Sequence, residues 1–243
     1  SVTVNSDTET VADTPAWAGG SARLTVADFV AEWPVDMATF NAPNVPTLAS
    51  GLTIQPVTPA NIATYLNTDN LHLQFSGDFS AMAGTFAAFH GANQIWELAD
   101  GTILPYLDTS DTFANPRPSQ IYMFATNQRQ ATIQGIRGRW ANDFLLDGIN
   151  CVSTANIAFW PGRARWAFIN GHAESSASNP FYGEGVDWSE NGSGVASAYN
   201  DLLFANSTMV HTAAGTTSLC RISGRSRVFL IDVLGRTTTS SPF

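Results

Sequence analysis

The chain has 243 residues, 44% hydrophobic and 13% charged, enough to bury a large core and too apolar to stay disordered. All eleven basic residues are Arg, which excludes Schiff-base chemistry, a Walker-type phosphate loop and lysine general bases. The net charge of −9 is uneven, with twelve carboxylates and one Arg in residues 1–111 against eight carboxylates and ten Arg in residues 112–243, so an acidic half without a basic arm argues against direct nucleic-acid binding.

Residues 1–20 are polar and acidic and end on Gly19-Gly20, which reads as an extended N-terminal arm with Trp17 as its one large apolar anchor. The start at Ser1 carries neither a signal-peptide pattern nor an initiating Met, as expected either of a chain cut from a longer precursor or of one that has lost its Met. Thr25 and Asp28 form a capping-box pattern, and Val26, Phe29, Val30 and Trp33 follow at helical spacing until Pro34. A strand is expected over Val35–Phe40. Thr58-Pro59 starts a second short helix with Ile62, Tyr65 and Leu66 on one face.

Leu71, Leu73 and Phe75 alternate with His72, Gln74 and Ser76, the period of a strand with one buried face. Gly84–Phe89 reads as a second apolar strand. Asp100-Gly101 supplies the positive φ of a tight turn and predicts a hairpin of Gln94–Leu98 with Thr102–Leu107. Strands are expected at Gln120–Thr126, Ala131–Ile136, Phe144–Ile149, Asn156–Trp160 and Arg165–Asn170. This ten-residue spacing suits a sandwich or barrel. Gly171–Gly194 is a long aperiodic loop, Ala196–Phe204 a helix, and Ser218–Ile222 and Arg227–Leu234 the last strands, the second apolar enough to be buried on both faces. No internal repeat of 20–50 residues is visible. The fold class is therefore mainly β: an antiparallel β-sandwich with two short helices, residues 21–243 forming one domain behind the arm.

Two cysteines, Cys151 and Cys220, provide no disulfide framework and no Cys-x-x-Cys pair, and two free buried thiols are expected, with a single bridge between them as the alternative. No run approaches the roughly 18–20 apolar residues of a membrane helix. There is no Gly-x-Ser-x-Gly and no His-Glu-x-x-His, so no catalytic, cofactor or metal residues are assigned and the chain is read as a non-enzyme. Two weaker clusters remain. In the loop, Glu184, Asp187 and Glu190 lie near His172 and Glu174, with Tyr182 and Trp188 able to stack on a sugar; the plain alternative is a solvated loop, and oxygen-rich acids also suit Ca²⁺. Arg137/Arg139, Arg163/Arg165 and Arg225/Arg227 place alternate guanidinium groups on one strand face, either solvated or meeting a neighbouring subunit's carboxylates.

The segment Leu24–Phe40, a helix running through Trp33-Pro34 into a strand, together with Leu71–His90 and Phe159–Trp166, resembles the capsid jelly rolls of picorna-like (dicistrovirus- or marnavirus-like) viruses. The order Pro161-Gly162-Arg163 departs from that family's aromatic-Arg-Gly segment. The resemblance implies an icosahedral capsid subunit located in the virion, partnered by sibling subunits or copies of itself through Trp17 and the paired arginines, with the 171–194 loop facing a host receptor or glycan and neither cofactor nor membrane involved. The competing reading is a secreted, extracellular carbohydrate-binding or glycoside-hydrolase sandwich using that loop.

Overall fold

Leu71, Leu73 and Phe75 are buried and alternate with partly exposed His72 and Gln74, as the alternation predicts, but the strand's neighbours on both sides run parallel to it. The computed structural model describes residues 23–34, 37–86, 89–108, 119–138, 142–162, 165–184, 200–212, 218–223 and 226–237. In chain order these form α1 (Val26–Glu32), β1 (Thr53–Val57), α2 (Ile62–Tyr65), β2 (Leu71–Phe75), α3 (Ala83–Phe86), β3 (Ala92–Leu98), β4 (Ile103–Leu104), β5 (Leu107–Asp108), β6 (Ser119–Ala125), β7 (Thr132–Ile133), β8 (Ile136–Gly138) and β9 (Asn142–Asp147). They continue with β10 (Asn150–Ser153), β11 (Phe159–Pro161), β12 (Arg165–Ile169), β13 (His172–Ser175), β14 (Phe181–Glu184), β15 (Asn200–His211), β16 (Cys220–Ser223) and β17 (Ser226–Thr237).

Every strand pairing among the described residues is parallel, so the expected antiparallel jelly roll is wrong. One ladder runs β1-β2-β3-β6-β9-β12-β15, a second runs β15-β13-β10-β7-β4, and a separate sheet runs β5-β8-β11-β14-β16. β15 belongs to both ladders because its first half pairs β12 and its second half pairs β13. The chain thus winds as a parallel β-solenoid whose coils each cross three faces: face 1 (β3, β6, β9, β12, first half of β15), face 2 (β4, β7, β10, β13, second half of β15) and face 3 (β5, β8, β11, β14, β16). Rungs lie about 4.8 Å apart along its axis.

Two columns of left-handed residues bend the backbone at the ends of face 1. Asn93, Gln120 and Asp143 stack at its entry with φ of 53°, 58° and 60°. Asn170, Asn206 and Asp232 stack at its exit with φ of 57°, 44° and 50°. Asn and Asp tolerate this conformation better than other L-residues, and their short side chains bond along the column. The Asn206 amide donates to Asn170 Oδ1 at 2.9 Å, and the Asn170 amide donates to Asp147 Oδ1 at 2.7 Å and to the Leu24 carbonyl at 2.8 Å.

In-register stacking also sets like rings above one another in the core. Phe144 lies over Trp166 at 4.3 Å, Phe168 over Phe204 at 4.8 Å and Phe159 over Phe181 at 5.7 Å. At the first rung the core is closed by buried Ile62 and Leu66 of the α2 region and by Phe79, Phe86 and Phe89. Residues 23–34 and 37–44 strap the outside of face 1: Phe29, Met37 and Phe40 pack on Ala167, Ile169, Leu203 and Phe229. This cover explains why both sides of those strands are apolar.

Several expectations are corrected by this architecture. The capping box at Thr25 and Asp28 does start α1, but residues 37–39 form a turn where a strand was expected. α2 begins at Ile62, not at Pro59. Residues 83–86 are helical, since Phe86 and Phe89 cover the end of the core. Gly101, with φ 75°, turns the chain from one face to the next and closes no hairpin. Gly135, with φ 114°, splits Ala131–Ile136 into two strands on two faces. Residues 172–175 and 181–184 of the supposed loop are strands, and residues 200–204 of the supposed helix open β15. β17 is the last rung among the described residues, and alternate residues along it are exposed. The arm, with Trp17, lies outside the described residues.

Both thiols are free. Burial pushes Cys151 well above the ordinary thiol range and Cys220 up to about 11. A thiol reagent at neutral pH should label Cys220 slowly and Cys151 only after denaturation; equal rates in the folded protein would contradict this placement. Asn170→Ala should cost about 2–4 kcal/mol in urea unfolding, because it orphans buried partners and puts Cβ-bearing Ala in the left-handed region. Asn170→Gly keeps that conformation at low strain and should cost about 1 kcal/mol less.

Candidate functional site

Strand residues that point away from the core form the columns of faces 2 and 3, so a site here is built by register. On face 3 the register aligns Asp108, Arg137, Trp160, Tyr182 and Arg221 in five successive coils. The Arg137 guanidinium lies over Trp160 at 4.1 Å, Trp160 lies 5.1 Å from Tyr182, and Arg221 lies over Tyr182 at 5.2 Å. Asp108 approaches Arg137 at 3.8 Å. Both ring faces of Trp160 are therefore in contact with its column neighbours, which leaves ring edges for a ligand and argues for a stabilising cation–π stack.

On face 2, His172 and Glu174 sit two apart on β13 and point the same way. His172 Nδ1 is 2.6 Å from Thr208 Oγ1 and its Nε2 is 3.2 Å from Glu174 Oε2. This hydroxyl–imidazole–carboxylate chain has the order of a nucleophile relay. A relay also needs convergent N–H donors for a developing oxyanion, and the backbone between β13 and β15 is engaged in their parallel ladder.

Beside this chain, toward the first coils, a groove of about 590 Å³ lies on face 2 at the corner with face 3. Ile103, Val152 and the Tyr106 ring give it apolar surface, and Thr132, Gln134 and Asn156 give it polar groups. Tyr106 is held over Gly135, where a Cβ would come within 2.7 Å of the ring. Burial, reinforced by the Asp108 charge, raises the Tyr106 phenol far above its usual range. Its hydroxyl is buried without a hydrogen-bond partner.

The residues singled out from sequence are distributed over different faces. His172 and Glu174 stand on face 2 and Tyr182 on face 3, so they share no pocket. Glu184 ends β14, and Asp187, Trp188 and Glu190 lie outside the described residues. Among the arginines, Arg139, Arg163 and Arg225 also lie outside. Arg137 belongs to the face 3 column. Arg165 and Arg227 are engaged within the chain: Arg165 Nε meets Asp143 Oδ1 at 2.5 Å, and Arg227 grips Asp201 through Nε and Nη2 at 2.5 and 2.6 Å. The same carboxylates accept the strap's backbone N–H groups, Asn44 to Asp143 at 3.1 Å and Asn41 to Asp201 at 3.2 Å. Among the described residues no group of three or more His, Cys, Asp or Glu gathers that could hold a metal ion.

The groove residues carry no sequence signal, because Tyr106, Gln134 and Asn156 come from three coils and meet only through the register. No protein-family model, curated protein or solved structure matches the chain.

If the face 3 column is mainly a stabilising stack, Trp160→Ala should cost about 2–3 kcal/mol in chemical denaturation, and Arg137→Lys less than about 1 kcal/mol. A Trp160→Ala protein as stable as wild type would show that the stack contributes nothing.

Proposed function

We propose that the protein is a non-catalytic structural subunit, of the kind a virion is built from, and that it works by joining a second copy of itself through the open end of the solenoid. The carrying observation is the state of the last rung. β17 is twelve residues long and, among the described residues, pairs only with β15. By register Leu230 continues the core column of Phe204, which is fully buried, yet Leu230 is 49% exposed. Leu234 and Ile222 are exposed to a similar degree, at 51% and 48%. A core position left half in water on a long strand edge without Pro or Lys is a template for further pairing.

The opposite end is built differently. β1 carries Pro56, which offers no N–H to a further strand, and the core beneath it is closed by α2 and the Phe79–Phe86–Phe89 cluster. With one end blunted, head-to-tail stacking into a filament is disfavoured and the open ends pair with each other in a closed two-fold dimer. Asp232 and Arg236, both exposed on β17, are of opposite sign and face each other favourably when the strand meets its own copy in antiparallel sense. This reading retains the structural-subunit class expected from the sequence and drops the antiparallel jelly roll.

Sedimentation velocity tests it. The wild-type chain should sediment as a dimer, and Leu230→Asp should raise the dimer dissociation constant by at least about tenfold, since it places a charge in the apolar contact. Ile54→Asp, at the blunted end, should change nothing. A wild-type monomer at every concentration, or a dimer indifferent to Leu230→Asp, would overturn the proposal.

A further inference from the structure

We infer that the face 2 groove is a binding site for a neutral oligosaccharide, lying along the solenoid axis across the coils that carry β4, β7 and β10. This goes beyond the assembly reading and does not depend on it.

The first argument is the chemistry of the lining. Among the described residues the Thr132 hydroxyl, the Gln134 carboxamide and the amino group of Asn156 make no hydrogen bond within the chain, while the Asn156 carbonyl oxygen accepts from the Ile157 N–H at 2.9 Å. Gln134 is exposed and Thr132 and Asn156 are half-buried, so all three are open to a ligand, whereas the Tyr106 hydroxyl is closed off from the groove and only its ring adds surface there. The three groups include donors and acceptors and none is charged. A ligand matching them carries many uncharged hydroxyl groups.

The second argument is electrostatic. No charged residue lines the groove. The nearest ionic groups acting on Tyr106, Asp108 and Arg137, face each other at 3.8 Å and offset one another. A polyanion would find no counter-charge here, and a cation no carboxylate of its own.

The third argument concerns shape. Ile103, Val152 and the Tyr106 ring add apolar surface of the sort that receives the C–H face of a pyranose, with polar groups fixing its orientation. Three rungs span about 10 Å, room for two or three sugar units. An extended peptide is the natural competitor on a β protein, but it binds by adding to a strand edge. The groove lies on a sheet face, where β4, β7 and β10 are already paired with one another.

Isothermal titration with neutral hexasaccharides (cello-, xylo-, malto- and chitohexaose) tests the inference, with oligogalacturonate as the charged control. At least one neutral series should bind in the micromolar to millimolar range, and the control should not. Thr132→Val and Gln134→Ala should each weaken binding several-fold, the loss of one hydrogen bond to the ligand. Both are small changes whose folding is checked by unchanged circular dichroism. Leu230→Asp should bind the sugar as wild type does, which separates this site from the dimer contact. Binding only to oligogalacturonate, no binding to any neutral series at millimolar concentration, or affinity unchanged in both groove variants would each overturn it.

Discussion

In-register parallel pairing is the constraint on which the rest of this structure depends. Once each coil lies over the last with residue above residue, every position is repeated about 4.8 Å away along the axis, and whatever stands there must tolerate its own neighbour. Polar corner residues meet this by bonding along the column: Asp147, Asn170 and Asn206 form one hydrogen-bonded line, which also receives Arg23 at 3.1 Å on Asp147. Desolvation raises the Asp147 carboxyl above its ordinary range, and the Asn170 amide, Arg23 and the Tyr122 hydroxyl work against that rise. Corner geometry and strap attachment therefore meet at one buried carboxylate.

Charge obeys the same rule. At the entry to face 1 the register reads Asp143, Arg165, Asp201, Arg227 in successive coils. Like charges stacked at this spacing would repel, whereas alternation gives bidentate pairs whose carboxylates are nearly buried, at 11% and 2% side-chain exposure. Removing one member of such a pair leaves an uncompensated charge out of water and costs several kcal/mol. The arginines that looked available for neighbouring subunits are in this way partly used to hold one coil to the next. On face 3 the same stacking puts cations against ring faces, so Tyr182, which suggests sugar stacking in the sequence, is covered by its own column.

The local signals in the sequence were legible where they depend on neighbours in the chain. Alternation along Leu71–Phe75, the capping box at Thr25 and the strands expected at 120–126, 144–149 and 165–170 survive nearly as read, whereas Ala131–Ile136 is two strands, Asn156–Trp160 overlaps only the start of β11, and β10 has no counterpart among the expected strands. Strand direction was not legible, because period-2 alternation is the same in parallel and antiparallel sheets. The coil repeat was hidden by its irregularity: aligned residues Ile121, Phe144, Trp166, Leu202 and Val228 are separated by 23, 22, 36 and 26 residues. Turn chemistry misled for a related reason, since Asp100-Gly101 supplies the same positive φ to a hairpin and to a corner. The groove could not be read at all, because its polar groups are assembled across coils by a register that no single segment encodes.

The strap over face 1 carries a consequence for how the molecule is made. Its backbone N–H groups bond carboxylates 99 and 160 residues further along the chain, and its ring at Phe40 meets Phe229 at 5.3 Å. During synthesis the N-terminal segment emerges first, yet the parts of its seat at Leu203 and Phe229 do not exist until β15 and β17 have been translated. Until then those coils carry an apolar outer face in water, although Arg23 and Leu24 can already meet Asp147 and Asn170. A chain truncated before β17 lacks the Phe229 and Ile231 part of the seat, so the strap acts as a latch that closes fully only on a solenoid containing that rung.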